Sequence, residues 1–236
     1  MPTGTDSLST IGFDADDTLW QNEQFYRLTE KRFTGLLADY AEAEDLTNRL
    51  LEAEKKNLKA YGFGIKGFTL SMIETAIEVT EGRVPSTVIH QIVDAGRDLL
   101  SHPVEPLPHA RATLEQLSGK YRLVLITKGD LFDQERKLAQ SGLGEHFNAV
   151  EIVSDKSVAT YERLFARHGD GPQRAMMVGN SLKSDIVPAI KAGCWGVYVP
   201  HRLTWAVEHD EVPDREARYR HIAHLGELLE IVRQIG

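Results

Sequence analysis

Acidic side chains at a fixed spacing are the residues of this chain best suited to do chemistry. Asp14 and Asp16 directly follow the apolar run Thr10-Ile11-Gly12-Phe13, and Asp17 and Thr18 come next. Two carboxylates this close repel each other unless a cation or a shared proton relieves the repulsion. The spacing therefore indicates hard-cation chemistry, acid–base chemistry or both. The competing interpretation is an acidic turn that merely starts a helix, with Thr18 helping to cap it.

The apolar run before these acids predicts a buried strand that stops at Asp14, because apolar residues fill it and acids that need water or a cation follow at once. In an open parallel sheet, ligands bind at the edge formed by the carboxyl ends of the strands. We therefore expect Asp14 and Asp16 to lie at that edge.

Polar residues follow three further predicted strands in the same way. Thr127-Lys128-Gly129 follows Arg122–Ile126, Lys156 follows Ala149–Val153, and Asn180 with Asp185 follows Ala175–Val178. Each has a local alternative: Thr127 as a cap or turn residue, Lys156 as a solvated lysine, and Asn180 as part of an ordinary turn. Parallel winding would bring all of them to one crevice. Their coincidence at successive strand ends favours one shared site.

Four elements in this order resemble the signature motifs of the haloacid dehalogenase-like superfamily. They are Asp14-Ala15-Asp16-Asp17-Thr18, then Thr127, then Lys156, and then Gly179-Asn180-Ser181-Leu182-Lys183-Ser184-Asp185. The resemblance covers about residues 8 to 200 and implies a type 1 helical cap between the first and second motifs. The sequence departs from the common pattern at Asn180, where many members carry an acid.

The expected fold is α/β, a doubly wound Rossmann-like parallel sheet with an inserted helical-bundle cap. Apolar residues recur at helical spacing in Glu23–Tyr40, Ala43–Tyr61, Phe68–Val79 and Ser86–Leu100. From Pro108 onward, helices alternate with short apolar strands, as in a parallel sheet with crossover helices. We expect the catalytic core to comprise residues 1–20 and 101–236, and the helical cap to comprise residues 21–100.

The acids suit phosphoryl transfer. A carboxylate is a poor nucleophile toward a phosphate dianion unless charge is neutralised, and Mg²⁺ held by Asp14 and Asp185 would neutralise it. Asp14 could then attack to give an aspartyl-phosphate. Asp16 suits the second carboxyl that the reaction needs, to protonate the leaving alkoxide and later to activate water.

The residues after the second and third predicted strands suit binding of the phosphoryl group. Thr127, with the backbone N–H groups of Lys128 and Gly129, is placed to bind phosphoryl oxygens. Lys156 would compensate the negative charge and contact the phosphate. The Lys128 side chain is either a second phosphate or substrate contact or is exposed to solvent.

The predicted Mg²⁺ ligands are Asp14, Asp16, Asn180 and Asp185. For Asp16 the resemblance implies that the backbone carbonyl is the ligand. An amide oxygen such as that of Asn180 can ligate Mg²⁺ but brings no charge. Asp17 has no firm role and is interpreted as a helix-start residue.

The leading functional hypothesis is a Mg²⁺-dependent phosphatase acting on a small phosphorylated metabolite. The second is another enzyme of the same scaffold: Asp16 and Asp185 argue against a dehalogenase, which needs neither a leaving-group acid nor a metal, while a phosphonatase or phosphomutase stays open. The third is a binding protein with an inactive site, which the intact set of acids disfavours.

Composition and charge limit the partners and the location. The 236 residues, of which 42% are hydrophobic, suffice for a core domain with a modest insert. The net charge of −8, with Lys and Arg scattered, disfavours nucleic acid as a partner.

Cys194, the single cysteine, fits a reducing compartment. Met1–Gly4 shows no basic region followed by an apolar run, and no apolar segment approaches membrane-spanning length, so we expect a cytoplasmic protein. The oligomeric state stays open, with a homodimer as one alternative.

Overall fold

The computed structural model describes residues 7–236, so the interpretation of Met1–Gly4 lies outside the described residues. Within them, six strands form one sheet. The strands are β1 (Thr10–Phe13), β2 (Arg122–Lys128), β3 (Ala149–Val153), β4 (Ala175–Gly179), β5 (Trp195–Tyr198) and β6 (Tyr219–His221). The order across the sheet is β3-β2-β1-β4-β5-β6, and every neighbouring pair is parallel. The predicted doubly wound α/β fold is confirmed.

Strand β1 lies in the middle of the sheet, between β2 and β4. Phe13 is in register with Leu125 on one side and with Val178 on the other. From β1 the chain builds the sheet outward through β2 to β3, and then returns to build the other half from β4 to β6. The reversal of direction lies between β1 and β4, and such a switch point is where open α/β sheets bind ligands.

Five helices accompany the sheet in the described chain. They are α5 (Ala110–Leu117), α6 (Leu131–Ser141), α7 (Val158–His168), α8 (Val187–Lys191) and α9 (Leu228–Ile235). Two apolar clusters form around β1 and its neighbours, one with Phe13 and Leu228 and the other with Phe165 and Met177. Ile11 and Phe13 of β1 belong to the first cluster, whereas Gly12 faces Phe165 and Met177 of the second, so both faces of the sheet are covered. Burying each large apolar side chain contributes about 1.5–3 kcal/mol.

The described chain divides into two compact units. One holds the sheet and comprises the residues up to Gln21, Val104–Lys128 and Glu135–Gly236. The other comprises Asn22–Pro103 and Gly129–Gln134. Its helices are α1 (Glu23–Leu36), α2 (Ala43–Tyr61), α3 (Ile65–Val79) and α4 (Ser86–Ser101). This helical unit has an apolar core of its own, which includes Phe33, Leu46, Met72 and Ile92.

The chain leaves and re-enters the sheet-bearing unit through two adjacent segments. Trp20 pairs with Pro106, and the Gln21 N–H donates to the Glu105 carbonyl oxygen at 3.0 Å. Adjacent ends are expected of an inserted segment, because an insertion is tolerated where its host's chain ends lie close together.

A short segment after β2 groups with the helical unit, although it falls within the range predicted for the core. In this segment, Gly129–Gln134, the Asp130 carboxylate pairs with Lys66 of α3 at 2.8 Å. The contact joins residues 64 positions apart, which periodicity in the sequence does not report.

Two further findings concern the helices. The interpretation of Asp17 as a helix-start residue is wrong: Asp17 lies in a turn with a φ of 60°, and α1 begins only at Glu23. None of the helices in residues 7–236 is both long enough and apolar enough to cross a membrane.

Candidate active site

The candidate residues of the sheet-bearing unit follow strand ends at its switch point. Asp14 follows β1, and its N–H donates to the carbonyl oxygen of Val178 in β4 at 2.9 Å. Thr127 lies at the end of β2, and Lys156 follows β3. Asp14, Thr127 and Lys156 are all buried. Parallel pairing therefore places side chains from distant parts of the sequence at one edge of the sheet.

The Lys156 ammonium joins two carboxylates. Its Nζ donates to Asp14 Oδ1 at 2.5 Å and to Asp185 Oδ1 at 2.7 Å. The side chains of Lys156 and Asp185 are only 2% and 1% exposed. One positive charge thus serves two buried negative charges, and buried charges are tolerated only when they are paired and hydrogen-bonded.

The pKa values reflect this imbalance of charge. Burial, with the negative charge of Asp185 beside it, raises the pKa of Asp14 to about 7 even though Lys156 opposes the shift. Burial acts to lower the pKa of Lys156, but Asp14 and Asp185 outweigh it and the pKa is raised. The lysine therefore stays charged, and its single charge does not fully stabilise an ionised Asp14.

A turn of π-helix brings Asp185 back to the end of β4. The segment Leu182–Ile186 forms this turn, with Ser181 as its N-cap, and α8 follows it. The Ser181 N–H donates to Asp185 Oδ2 at 2.9 Å. Single π turns are rare and occur frequently at functional sites.

Gly179 leaves the space that Asp185 occupies. A Cβ atom at Gly179 would lie 2.3 Å from Asp185 Oδ2 and 2.4 Å from Asp185 Cγ, well inside contact distance. The glycine in this motif is therefore required for close approach of the acid to the strand end.

Three oxygen-bearing groups converge on the amide of Asn180. The Asn180 side-chain atom placed as Oδ1 lies 3.1 Å from Asp14 Oδ2, 3.2 Å from the Asp16 carbonyl oxygen and 3.2 Å from Thr18 Oγ1. With nitrogen at this position, the amide donates hydrogen bonds to these oxygens. With oxygen at this position, the amide presents an oxygen donor of the kind that Mg²⁺ binds.

The donor chemistry fits Mg²⁺. No group of three or more His, Cys, Asp or Glu side chains that could hold a metal ion occurs in residues 7–236. The set here instead combines the carboxylates of Asp14 and Asp185 with the Asp16 carbonyl and the Asn180 amide, all oxygen donors of the kind that Mg²⁺ binds. A divalent cation would also supply the positive charge that Lys156 alone does not.

The Asp16 side chain has partners of its own. Lys137 Nζ donates to both Asp16 carboxylate oxygens, at 2.6 and 2.8 Å, and Trp20 Nε1 donates to Oδ1 at 2.7 Å. The sequence analysis predicted neither of these partners. Trp20 follows Asp16 by four residues and could have been considered, whereas Lys137 is 121 residues away and carries no local signal.

The two residues at the end of β2 have different environments. Thr127 is 1% exposed, and its hydroxyl donates to the Lys128 carbonyl oxygen at 3.2 Å. The solvent-exposed alternative for Lys128 is wrong, because its Nζ donates to Glu208 Oε1 at 2.6 Å and to Ser184 Oγ at 2.8 Å. Gly129 has a φ of 139° and is grouped with the helical unit. Ser184 belongs to the fourth motif but had no predicted role, and Glu208 is a further residue that the sequence did not indicate.

Comparison with known proteins identifies a family and several relatives. A sequence model of the haloacid dehalogenase-like hydrolase family matches residues 8–193. The glyceraldehyde 3-phosphate phosphatase of Methanothermobacter thermautotrophicus is 27% identical over 238 residues, which is 95% of this chain and 100% of the relative. The crystal structure of a haloacid dehalogenase-like family hydrolase from Xanthomonas campestris is similar with a TM-score of 0.85 and 41% identity, covering 98% of this chain and 96% of that one.

Dehalogenases share the fold as well. The L-2-haloacid dehalogenase of Xanthobacter autotrophicus, with chloropropionic acid covalently bound, is similar with a TM-score of 0.67 and 19% identity, covering 97% of this chain and 100% of that one. At this identity the similarity shows the common fold alone, so the reaction must be argued from the residues of the site.

Proposed function

The chain belongs to the haloacid dehalogenase-like hydrolases, and from this membership we propose that it is a Mg²⁺-dependent phosphatase that hydrolyses a small phosphorylated metabolite. The reaction passes through a phosphoryl group held covalently on Asp14. The observation that carries the proposal is the buried set of Asp14, Lys156 and Asp185, in which one ammonium joins two carboxylates beside the Asp16 carbonyl and the Asn180 amide.

In the first step, an oxygen of the Asp14 carboxylate attacks phosphorus and the phosphorus–oxygen bond to the leaving group breaks. Lys156 balances charge on Asp14, while Thr127 and the backbone N–H groups that follow it bind the phosphoryl oxygens. Asp14, Asp185 and their neighbouring oxygens would hold Mg²⁺, which would neutralise charge and orient the phosphoryl group.

Asp16 acts as the acid and then as the base. Its proton passes to the leaving alkoxide in the first step, and it takes a proton from the water that attacks the phosphorus of the aspartyl-phosphate in the second. The second attack breaks the bond between phosphorus and Asp14 and releases inorganic phosphate. Lys137 and Trp20 hold the Asp16 side chain, which supports a role that requires a fixed orientation.

We further propose that the substrate is a small phosphate ester. The relative named a glyceraldehyde 3-phosphate phosphatase supports a small phosphorylated substrate. A screen of phosphorylated metabolites with Mg²⁺, scored by kcat/KM, would identify it.

An aryl phosphate assay tests the reaction itself. We expect the protein to release 4-nitrophenol from 4-nitrophenyl phosphate with Mg²⁺ and to lose this activity in the presence of a chelator. Asp14→Asn, which is nearly isosteric, should lower turnover by about 10³-fold or more while the thermal unfolding transition is preserved. Appreciable turnover by a pure Asp14→Asn protein would contradict the assignment of the nucleophile.

Measuring chloride release beside phosphate ester hydrolysis separates this proposal from a dehalogenase. A dehalogenase needs a nucleophilic carboxylate but neither an acid for an alkoxide leaving group nor a metal, so Asp16 and Asp185 favour the phosphatase. Release of chloride from 2-chloropropionate by the protein, with no phosphate ester hydrolysed, would favour the dehalogenase.

A further inference from the structure

A buried carboxylate of the sheet-bearing unit lies outside the four motifs. Glu208 ends the short 3-10 turn Ala206–Glu208, in the segment that follows β5. Its side chain is 15% exposed, and burial of a charged group is costly unless partners compensate it. Its partners therefore indicate what the residue does.

The Glu208 carboxylate accepts three hydrogen bonds from residues at the ends of β2 and β4, the two strands that flank β1. Lys128 Nζ donates to Oε1 at 2.6 Å, and the hydroxyls of Ser181 and Ser184 both donate to Oε2 at 2.5 Å. Lys128 Nζ also donates to Ser184 Oγ at 2.8 Å. One carboxylate thus joins the end of β2 to the segment that follows β4.

Ser181 links Glu208 to Asp185. The Ser181 hydroxyl accepts a hydrogen bond from the Ser184 N–H at 2.9 Å, in addition to the one it donates to Glu208. The Ser181 N–H donates to Asp185 Oδ2, and its carbonyl accepts from the Asp185 N–H, both at 2.9 Å. Because Ser181 holds Asp185 from both sides, the position of Asp185 depends on the contact that fixes Ser181.

Glu208 also determines where the Lys128 ammonium lies. Burial acts to raise the pKa of Glu208, but Lys128 and the Ser181 and Ser184 hydroxyls outweigh it and the pKa is lowered. The carboxylate is therefore ionised at neutral pH, and its negative charge balances the positive charge of Lys128. Removing one member of a buried charge pair is strongly unfavourable because the other charge stays buried.

We propose that Glu208 is a positioning residue of the phosphatase site, which fixes both the Lys128 ammonium and the Ser181–Asp185 segment. It acts through Lys128 and Ser181 and not on the reacting atoms themselves. The inference rests on the proposed function, because the positions of Lys128 and Asp185 affect turnover only if both serve that reaction.

The variant Glu208→Gln tests the role by removing the charge while it keeps the size and one acceptor oxygen. We expect kcat for 4-nitrophenyl phosphate to fall about 10- to 100-fold, as for other residues that orient ligands, with KM changed by less than about threefold. Glu211→Gln, at an exposed position of the same segment, is the matched control and should behave as the wild type.

Hydrogen exchange supplies a readout that needs neither metal nor substrate. The amide protons of Ser184 and Asp185 should exchange about tenfold faster in Glu208→Gln than in the wild type or in Glu211→Gln, because the segment loses its anchor. A merely structural role for Glu208 would lower the thermal stability and leave kcat per folded molecule and the split between kcat and KM unchanged.

Each outcome decides the proposal. Unchanged kcat in folded Glu208→Gln, with an active wild type, overturns it. If the single variant does not fold, the pair Lys128→Gln and Glu208→Gln removes both buried charges, and wild-type kcat in that protein overturns the proposal. If the wild type hydrolyses no phosphate ester, the proposed function fails, and unchanged exchange at Ser184 and Asp185 in Glu208→Gln then overturns the positioning role separately.

Discussion

Lys156 contacts two carboxylates with one ammonium group. Asp14 and Asp185 both lie within 2.7 Å of its Nζ, and the pKa of Asp14 is raised to about 7 by burial and by Asp185. A nucleophilic carboxylate must be ionised, and with this pKa Asp14 is only partly ionised at neutral pH. The individual side chains thus support a site completed by a divalent cation.

Asp16→Asn separates the acid from the nucleophile. The variant should slow esters with poor alkoxide leaving groups by about 10²- to 10⁴-fold and aryl phosphates less, because an aryl leaving group needs little protonation. The measurement is kcat on an alkyl and an aryl phosphate with the same preparation. Equal losses on both would contradict the acid role, unless burst kinetics show that hydrolysis of the intermediate has become limiting.

Asn180 is the place where the chain leaves the commoner pattern of its family. Asn180→Asp adds a charge beside Asp14 Oδ2 and the Asp16 carbonyl, so it should lower the Mg²⁺ concentration for half-maximal activity by about tenfold without raising kcat. The value of kcat should not rise because an added carboxylate neutralises more of the charge of the cation, which then attracts the phosphate dianion less strongly.

A Mg²⁺ titration of the two proteins decides the role of Asn180, with Asn180→Ala as the companion that removes the amide and should need more Mg²⁺. Identical half-saturation in all three would assign Asn180 to the turn and leave Asp185 as the ligand from the fourth motif.

At the scale of elements, the end of β4 and the π turn after it act together. Gly179→Ala should abolish most activity because the added Cβ would lie 2.3 Å from Asp185 Oδ2 and displace that acid. The cost in stability should be about 1–3 kcal/mol, as for other overpacked sites. Activity and thermal unfolding are measured on the same protein.

Gly35→Ala is the matched control, since a Cβ at this position of α1 meets nothing within 4 Å. Alanine favours a helix over glycine by about 1 kcal/mol, so this variant should be active and at least as stable as the wild type. Full activity in Gly179→Ala would show that Asp185 can move without consequence for the reaction.

At the scale of the whole molecule, each unit has its own core and its own response to pH. In the helical unit, burial raises the pKa of Glu54 in α2 to about 8, and Glu23 and Glu30 in α1 add to the shift while Arg27 opposes it. Arg27 itself pairs with Glu23 at 2.9 Å and with Glu30 at 3.2 Å. The folded chain therefore holds a proton on Glu54 that the unfolded chain releases near pH 4.5.

The contribution of Glu54 to stability should consequently fall as the pH rises from about 4.5 to 8, because this residue binds a proton in the folded state that it has lost in the unfolded state. Glu54→Gln removes this dependence, so the free energy of unfolding of the variant relative to the wild type should increase by about 3–4 kcal/mol between pH 5 and 8. Thermal or denaturant unfolding at both pH values measures the difference.

Glu52→Gln is the control for Glu54, because its side chain is 72% exposed and pairs with Lys55 at the surface. Such pairs contribute about 0–1 kcal/mol, so its stability difference from the wild type should be nearly independent of pH. If the free energy of unfolding depends on pH in the same way in the wild type and in Glu54→Gln, the Glu54 charge is exposed to solvent in the folded state.

The sequence alone determined the fold class and the order of the candidate residues along it. Helix α2 has the predicted limits, Ala43–Tyr61, because apolar periodicity is a local property of the chain. The residues after β1 to β4 could be expected at one edge because parallel strands carry their carboxyl ends to the same side.

Only the tertiary structure decided which side chains pair within the site. Lys128 meets Glu208 across 80 residues, and Asp16 meets Lys137 across 121. In the sequence a lysine beside a strand end can equally be solvated or buried, since its charge is tolerated inside only where a partner meets it. That partner is supplied by the packing of distant segments, which no local pattern of residues encodes.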